Sequence, residues 1–413
     1  MESTNTILTD YQATFYNEWL QDPTRTDYNM VNDFLLSGQI DAEQLNSGLI
    51  RFVSEHLLFN SNVINDGKVL MWRQRNPIRY STQLVSVYEF QLSNEDMLKI
   101  VSEPFDLEHD LLVRYILIKQ DNGDFRFINI QPHILVDGLS GDELINEFSK
   151  YYNSAYHKNQ RSLVQQRQLH NDLSTKFNKI RTENQTKIAD FWQKHLSTLQ
   201  SNDLRFISKS QIDNQQNRNS IDTIDFFIEE DLLLKIKSAA RKVRLTPYVI
   251  SQMALAVSLN KYTGQSNIGI SFPTAVQEGK ELIYGAHVNT LIIDFRFSST
   301  STLEELIEQT LLYYNELKLT KAKYLPIGYI SKYLEDKRIL DFAFAQTNLR
   351  TTPVKFNKVE CKQINDDLHI DMVNNIIFEQ EFKNNGLHFK VRYRTTLFDS
   401  YLINSFIDNF KNI

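Results

Sequence analysis

Residues 131–144 read QPHILVDGLSGDEL. The stretch follows an alternating apolar run, FRFINI at 125–130, and precedes a segment with helical spacing. His133 stands four residues ahead of Asp137, and Gly138 follows at once. A loop that leaves a strand and enters a helix is clamped at both ends, so it can hold an imidazole in one orientation. A histidine working as general base needs a fixed tautomer and a pKa near neutrality. A carboxylate in the same loop organises it by accepting backbone hydrogen bonds or by pairing with a cation. A glycine there permits a tight turn or close approach of a substrate. His133, Asp137 and Gly138 are therefore the candidate catalytic residues.

Working outward, DNGD at 121–124 sits between LLVRYILIK and FRFINI and predicts a hairpin whose second strand delivers the chain to His133. Upstream, DAEQLNSGLIRFVSEHLLF from Asp41 has Leu45, Leu49, Phe52, Val53 and His56 at helical spacing, with Asp41 as N-cap. KVLMW and LVSVYEF read as strands. After Gly138 a helix is expected, capped by Ser140 or Asp142. From 157 to 183 the composition turns polar, which makes that stretch the candidate crossover between two halves. A second polar stretch, at 208–222, reads as a loop.

The second half then runs strand, helix, helix, strand. TIDFFI leads into EEDLLLKIKSAARKV and TPYVISQMALAVSLNKYTG, the latter punctuated by Thr246-Pro247 and Gly264. NIGISF and VNTLIIDFRF read as buried strands, and STLEELIEQTLLYYNEL as a long helix. NNIIFEQEFK and LHFKVRYRT flank NNG at 384–386 and predict a hairpin; DSYLINSFIDNF predicts a closing helix. Each half mixes strands and helices without strict βαβ alternation, which favours α/β sandwiches with mixed sheets over a dinucleotide-binding fold. No glycine-rich phosphate loop and no fixed-period repeat is present.

At 413 residues the chain exceeds one ordinary core, so more than one unit is expected. A net charge of −6 leaves no basic footprint for nucleic acid. The single Cys361 rules out an intramolecular disulfide framework and a cysteine-based zinc site, and its VECKQ context reads as a buried thiol. The N-terminal MESTNTILTDYQATF lacks the pattern of a signal peptide, and no apolar run reaches the ~20 residues that span a bilayer. A cytoplasmic protein without membrane association is the expectation. No acid cluster suggests a metal. Among the other histidines, His56 reads as packed and hydrogen-bonded, whereas His109, His157, His170, His195, His369 and His388 read as solvent or surface residues.

Further blocks along the chain carry a resemblance. LTDYQATFYNEWLQDPTRTDYN at 8–29, EHLLFNSNV at 55–63, YGAHVNTLII at 284–293 and FAFAQTNLR at 342–350 occur in order around the central His133–Asp137–Gly138 motif. Together they resemble the condensation domains of non-ribosomal peptide synthetases, whose core motif is HHxxxDG. The resemblance implies two chloramphenicol-acetyltransferase-like subdomains with mixed sheets, arranged in a V around a central tunnel, here expected at residues 1–170 and 171–413. It implies an acyltransferase that forms an amide, less often an ester, between a carrier-bound acyl or peptidyl thioester and an acceptor amine, carrier-bound or free. Substrates would arrive on the phosphopantetheine arms of carrier proteins, with no cofactor bound by the chain itself. His133 would act on the acceptor amine; Asn348 and His287 would contact substrate.

Two residues depart from the family pattern. Pro132 replaces the first histidine of the motif, and Gln277 stands where the family carries an arginine that pairs with the motif aspartate. Asp137 must then be satisfied by backbone N–H groups, or by Lys280 or Arg296 if they fold nearby. Two alternatives stay open at this point: an epimerisation domain, which shares the core motif, and a catalytically degenerate platform that docks carrier proteins.

Overall fold

The computed structural model describes residues 5–76, 79, 82–153, 161–209, 220–278, 283–334, 338–347, 354–364, 368, 372–383 and 386–413. In chain order the elements begin with β1 (Asn5–Ile7), α1 (Asp10–Gln21), β2 (Asn29–Gly38), α2 (Ala42–Glu55), β3 (Ser61–Asn65) and β4 (Leu70–Gln74). There follow β5 (Val85–Tyr88), α3 (Asn94–Val101), β6 (Arg114–Lys119), β7 (Phe125–Pro132), α4 (Gly138–Tyr152), α5 (Leu163–Glu183) and α6 (Gln185–Leu196). The chain continues through β8 (Ile221–Glu229), α7 (Glu230–Lys242), α8 (Pro247–Thr263), β9 (Asn267–Ala275), β10 (Val288–Arg296) and α9 (Leu303–Thr320). It ends with the single turn α10 (Ile327–Ile330), β11 (Phe342–Gln346), β12 (Lys355–Phe356), β13 (Val359–Gln363), β14 (Ile376–Lys383), β15 (Gly386–Arg394) and α11 (Ser400–Lys411).

Two compact units result. The first comprises residues 1–178, 277–287 and 349–370; the second comprises 179–276, 288–348 and 371–413. The expected single cut at 170/171 differs from this pattern, because two later segments return to the first unit. The boundary at 178/179 falls inside α5, so the polar stretch from 163 to 183 is a 21-residue helix where a connecting crossover was expected. Its polarity follows from a narrow buried stripe, His170, Leu173, Ser174 and Phe177, with the rest of the surface solvated.

In the first unit a six-stranded sheet has the order β12-β13-β2-β7-β6-β5, and a small sheet has the order β1-β4-β3. The β6–β7 hairpin is antiparallel, pairing Lys119 with Phe125 across the predicted DNGD turn. β5 and β6 run parallel, which makes the sheet mixed. Helices α2 and α4 pack over it through Phe52 and Phe148, whose rings meet edge-on at 4.9 Å, and Tyr115 of β6 meets Phe148 at 5.4 Å. The two helices approach closely at Gly48, where a Cβ would lie 3.0 Å from the Tyr151 carbonyl carbon. Asp41 caps α2 as the sequence predicts, its side chain accepting from Gln44 N–H.

The second unit carries its own six-stranded sheet, order β10-β9-β11-β14-β15-β8, parallel at β11–β14 and antiparallel in its hairpins. Phe378 and Phe389 pack on Phe406 and Phe410 of α11. Trp192 of α6 donates its indole N–H to Ala322, and Tyr313 of α9 donates to the Ile292 carbonyl. Helix α8 starts at the capping Thr246 with Pro247 in its first turn, and it stops at the left-handed Gly264. The hairpin at NNG pairs Lys383 with Gly386; its turn residues 384 and 385 lie outside the described residues.

Candidate functional site

The motif sits at the end of β7, within the first unit. The ladder between β7 and β6 ends at Ile130, so Pro132, which has no N–H, occupies the last position of the strand without breaking a bond on that side. The chain then makes one 3-10 turn over His133–Leu135. His133 N–H donates to the Tyr28 carbonyl at 2.8 Å, and Val136 N–H donates to the His133 carbonyl at 3.1 Å. The backbone beneath the imidazole is thereby fixed at both ends.

Asp137 is the N-cap of α4, a role the sequence reading gave to Ser140 or Asp142. Its Oδ1 accepts from Ser140 N–H and from the Ser140 hydroxyl, both at 2.9 Å, while Ser140 Oγ accepts from Asp137 N–H at 2.8 Å. This reciprocal capping box satisfies orphan donors of the first helical turn. The other oxygen, Oδ2, accepts from the backbone N–H of His287 at 3.1 Å. Among the described residues no lysine or arginine bonds to Asp137: Arg296 pairs with Asp294 instead, and Lys280 lies outside the described residues. Backbone N–H groups and one hydroxyl take the place of the absent arginine. Gly138 is exposed, and nothing lies within 4 Å of where its Cβ would be, so the first turn of α4 is open.

The segment before His287 is stitched to the same loop, since Ala286 N–H donates to the Ile134 carbonyl at 3.1 Å. Gly285 has φ +129°, and a Cβ there would lie 2.6 Å from Gln12 Nε2 and 2.8 Å from His287 Nε2. Both the dihedral and the close approach require glycine. His287 itself is fully buried, and neither ring nitrogen has a hydrogen-bond partner. Its ring lies 5.9 Å from that of His170 on α5 and 6.4 Å from Phe177. Burial pushes both imidazoles down: His170 to about 3, with the neighbouring His287 adding to the effect, and His287 against the opposing pull of Asp137. His287 thus reaches the motif through its backbone, while its side chain is enclosed among rings.

The His133 ring is stacked on Phe15 of α1, centroids 4.8 Å apart and planes 22° apart, and meets Tyr28 edge-on at 6.2 Å. Its Nδ1 is enclosed and no side chain bonds to it, whereas Nε2 is not enclosed. Burial lowers the His133 pKa below the ordinary histidine value; the backbone of His133, the charge of Asp137 and the backbone of Val136 act in the opposite direction. A neutral imidazole with one accessible nitrogen is the form that can take a proton.

Asn348 lies outside the described residues, as do His157 and His369. Asn289, in the VNT block, is engaged by the backbone alone: it donates to the Lys323 and Leu325 carbonyls and accepts from Ile327 N–H. His56 is buried, with Nδ1 2.7 Å from the Phe52 carbonyl, as its apolar setting suggested. The surface assignment fails for His170 and for His195. The latter is buried in the second unit, with Nδ1 2.5 Å from Asp294 and Nε2 3.2 Å from Glu316. His388, partly exposed, pairs with Asp225 at 2.7 Å. Cys361 is half-buried on β13, and burial pushes its thiol up to about 12, away from the thiolate that a nucleophile requires. Among the described residues no group of three histidine, cysteine, aspartate or glutamate side chains is placed to hold a metal ion. No described helix is long and apolar enough to cross a membrane.

Bacitracin synthase 1 of Bacillus licheniformis is 23% identical over 392 residues, covering 90% of this chain and 7% of the synthase. Tyrocidine synthase 2 of Brevibacillus parabrevis is 26% identical over 300 residues, covering 69% of this chain and 8% of that protein. The chain thus spans under a tenth of these relatives. Among solved structures, the X-domain from teicoplanin biosynthesis superposes with TM-score 0.78 at 13% identity, covering 99% of this chain and 94% of that one. The starter condensation domain of rhizomide synthetase superposes with TM-score 0.74 at 15% identity, covering 99% and 95%. These likenesses bear on the fold, mixed α/β with two sheet-rich units. The model of the condensation-domain family matches residues 2–413, essentially the whole sequence: the chain belongs to the condensation-domain family.

Proposed function

We propose that this protein catalyses amide formation between an acyl or peptidyl thioester, delivered on the phosphopantetheine arm of a carrier protein, and an acceptor amine, with His133 as the residue that handles the amine proton. The observation that carries the reading is the state of His133: neutral by burial, held by its backbone, with Nδ1 enclosed and Nε2 accessible at the end of β7. The amine nitrogen attacks the thioester carbonyl, forming C–N and, on collapse of the tetrahedral adduct, breaking C–S. The proton lost by nitrogen passes to Nε2 and then to the departing thiolate, so the imidazole ends as it began. Asp137 holds the loop through Ser140 and the His287 backbone and does not touch substrate. Asn348 and His287 remain assigned to the substrate by family resemblance alone, and each unit is read as one acetyltransferase-like half.

A second reading has one observation behind it. The X-domain from teicoplanin biosynthesis, one of the structures that superpose on this chain, has been solved in complex with OxyB. A platform that docks partner proteins therefore fits the same fold. Intact-mass detection of acyl transfer from a loaded carrier to a panel of amines tests the choice. A new amide that disappears in His133→Ala supports the condensing reading. An inverted stereocentre on the carrier indicates epimerisation, and neither product with any donor leaves the platform.

A further inference from the structure

A histidine that acts as a base is ordinarily oriented by a hydrogen bond to its second nitrogen, which fixes both tautomer and ring plane. At His133 no side chain plays that part: Nδ1 is enclosed without a side-chain partner, and only the backbone of His133 itself and of Val136 acts on it. The side chains that pack on the ring are aromatic. Phe15, on the second turn of α1, lies nearly parallel to it at 4.8 Å, and Tyr28 meets its edge at 6.2 Å. Phe15 and Tyr28 also pack on each other edge-on, at 4.8 Å and 75°.

Tyr28 is itself clamped. Its hydroxyl donates to Glu18 at 2.7 Å, and the Arg25 guanidinium lies over its ring at 4.4 Å. Arg25 bonds in turn to Glu18 at 2.9 Å and to Asp27 at 2.6 Å. The Tyr28 carbonyl receives the His133 N–H, so the same residue holds both backbone and ring. From these contacts we infer that Phe15 and Tyr28 form an aromatic bracket, locked by the Glu18–Arg25–Asp27 network, that sets the plane of the His133 imidazole beside its backbone contacts. They are positioning residues; neither is assigned a contact with the reacting atoms.

A stacked ring at this distance removes freedom of rotation about χ2 and shields one face from water. Water kept off the ring disfavours the imidazolium, which keeps Nε2 free to accept a proton. The charged groups around His133 are Asp137 on the loop and, behind Tyr28, the group formed by Glu18, Arg25 and Asp27; α1 contributes the uncharged Phe15 at the contact. Removing Phe15 therefore alters hydration and orientation without deleting a charge. The consequence for turnover rests on the acyl-transfer reading, but the bracket itself does not.

The test is nitrogen-15 NMR of the imidazoles in the full chain, with the His133 signals among the nine histidines identified by their loss in His133→Ala. The wild-type ring should populate mainly the Nδ1–H tautomer and titrate below the ordinary histidine range. In Phe15→Ala the titration midpoint should rise toward that range, the tautomers should mix, and kcat should fall ~10- to 100-fold with little change in KM, as expected for misplacement of a reacting group. Phe15→Leu keeps the apolar cover without the flat face, so its midpoint should stay low while tautomer purity and kcat fall. Phe15→Tyr should restore both. An unchanged tautomer ratio and midpoint in Phe15→Ala overturn the bracket; if that variant does not fold, an unchanged tautomer ratio in Phe15→Leu does so. Should His133→Ala retain full turnover, the acyl-transfer reading fails, yet the NMR titration still decides whether the bracket exists.

Discussion

His195 in the second unit and three histidines of the first unit are held in opposite ways. In the second unit His195 lies between two carboxylates, Asp294 and Glu316, which are themselves engaged by Arg296 and Lys194. Both of its nitrogens are bonded, and the cluster ties α6 to β10 and α9. In the first unit His133, His170 and His287 have no carboxylate on their rings, and four of their ring nitrogens are enclosed without a side-chain partner. An imidazole saturated by carboxylates is a structural tie with no nitrogen to offer. One that is desolvated, neutral and left with an accessible nitrogen is suited to moving a proton, at a cost to stability from unsatisfied polar atoms. On the proposed reading His133 handles a proton, whereas His195 is a structural tie.

The sharpest way to break this contrast is to remove each imidazole. His133→Ala should lower turnover by ~10²–10⁴ with the melting transition unchanged, the range for loss of a positioned proton-transfer group. Full turnover from a folded variant would reduce His133 to a packed ring like the others.

Asp137→Ala should act on stability first. It removes the N-cap of α4 and leaves Ser140 N–H, the Ser140 hydroxyl and His287 N–H without their acceptor. The expected loss is ~2–4 kcal/mol, combining a lost cap with buried unsatisfied donors. Asp137→Asn, which keeps a capping oxygen, should recover much of it. Equal denaturation midpoints for Asp137→Ala and wild type would show that the loop is held by other means.

His195→Ala should reverse the pattern seen at His133: a stability loss of ~1.5–3 kcal/mol from buried carboxylate contacts, and an unchanged kcat/KM per folded molecule. A fall in kcat/KM at constant fold would dissolve the distinction between the units.

The contrast also carries a pH dependence. Above pH 6.5, His170 is neutral in both folded and unfolded chains and contributes no slope. As pH falls below the unfolded value of 6.5, the unfolded state takes up a proton that the folded state, with His170 at about 3, refuses. Stability therefore declines through the window from 6.5 to 3, by about 2 kcal/mol at pH 5 from His170 alone. His287, also shifted down, adds in the same direction. Chemical denaturation at pH 7 and pH 5 measures the slope, and His170→Phe should flatten it; an equal slope in that variant would assign the acid sensitivity elsewhere.

How much of this was legible depends on the range of the interactions concerned. The β6–β7 hairpin, the caps at Asp41 and Thr246, the Gly264 stop and the strand-to-helix setting of His133 follow from residues within a few positions of one another, where turn chemistry and periodicity operate. Helix α5 was hidden because one narrow buried stripe leaves its composition polar. The sequence places the cap on α4 at Ser140 or Asp142, three residues late or more, because the bond from Ser140 N–H to Asp137 is a local choice among several polar neighbours. The burial of His170 and His195 left no local signal at all, because their surroundings are set by α5 packing and by Asp294, 99 residues from His195.

The sequence by itself determined the family, the order of elements around the motif, and the identity of the motif histidine at the end of β7. Tertiary structure alone decided how the second oxygen of Asp137, Oδ2, is satisfied. Its partner is the His287 N–H, 150 positions away, delivered by a glycine that adopts φ +129° against Gln12. Backbone donors carry no side-chain signature, so the replacement of an arginine by an N–H leaves no trace in the string of residues. The same holds for His133, whose orientation rests on Phe15 and Tyr28, more than a hundred positions upstream and brought to the ring only by packing of α1 and the β2–β7 register.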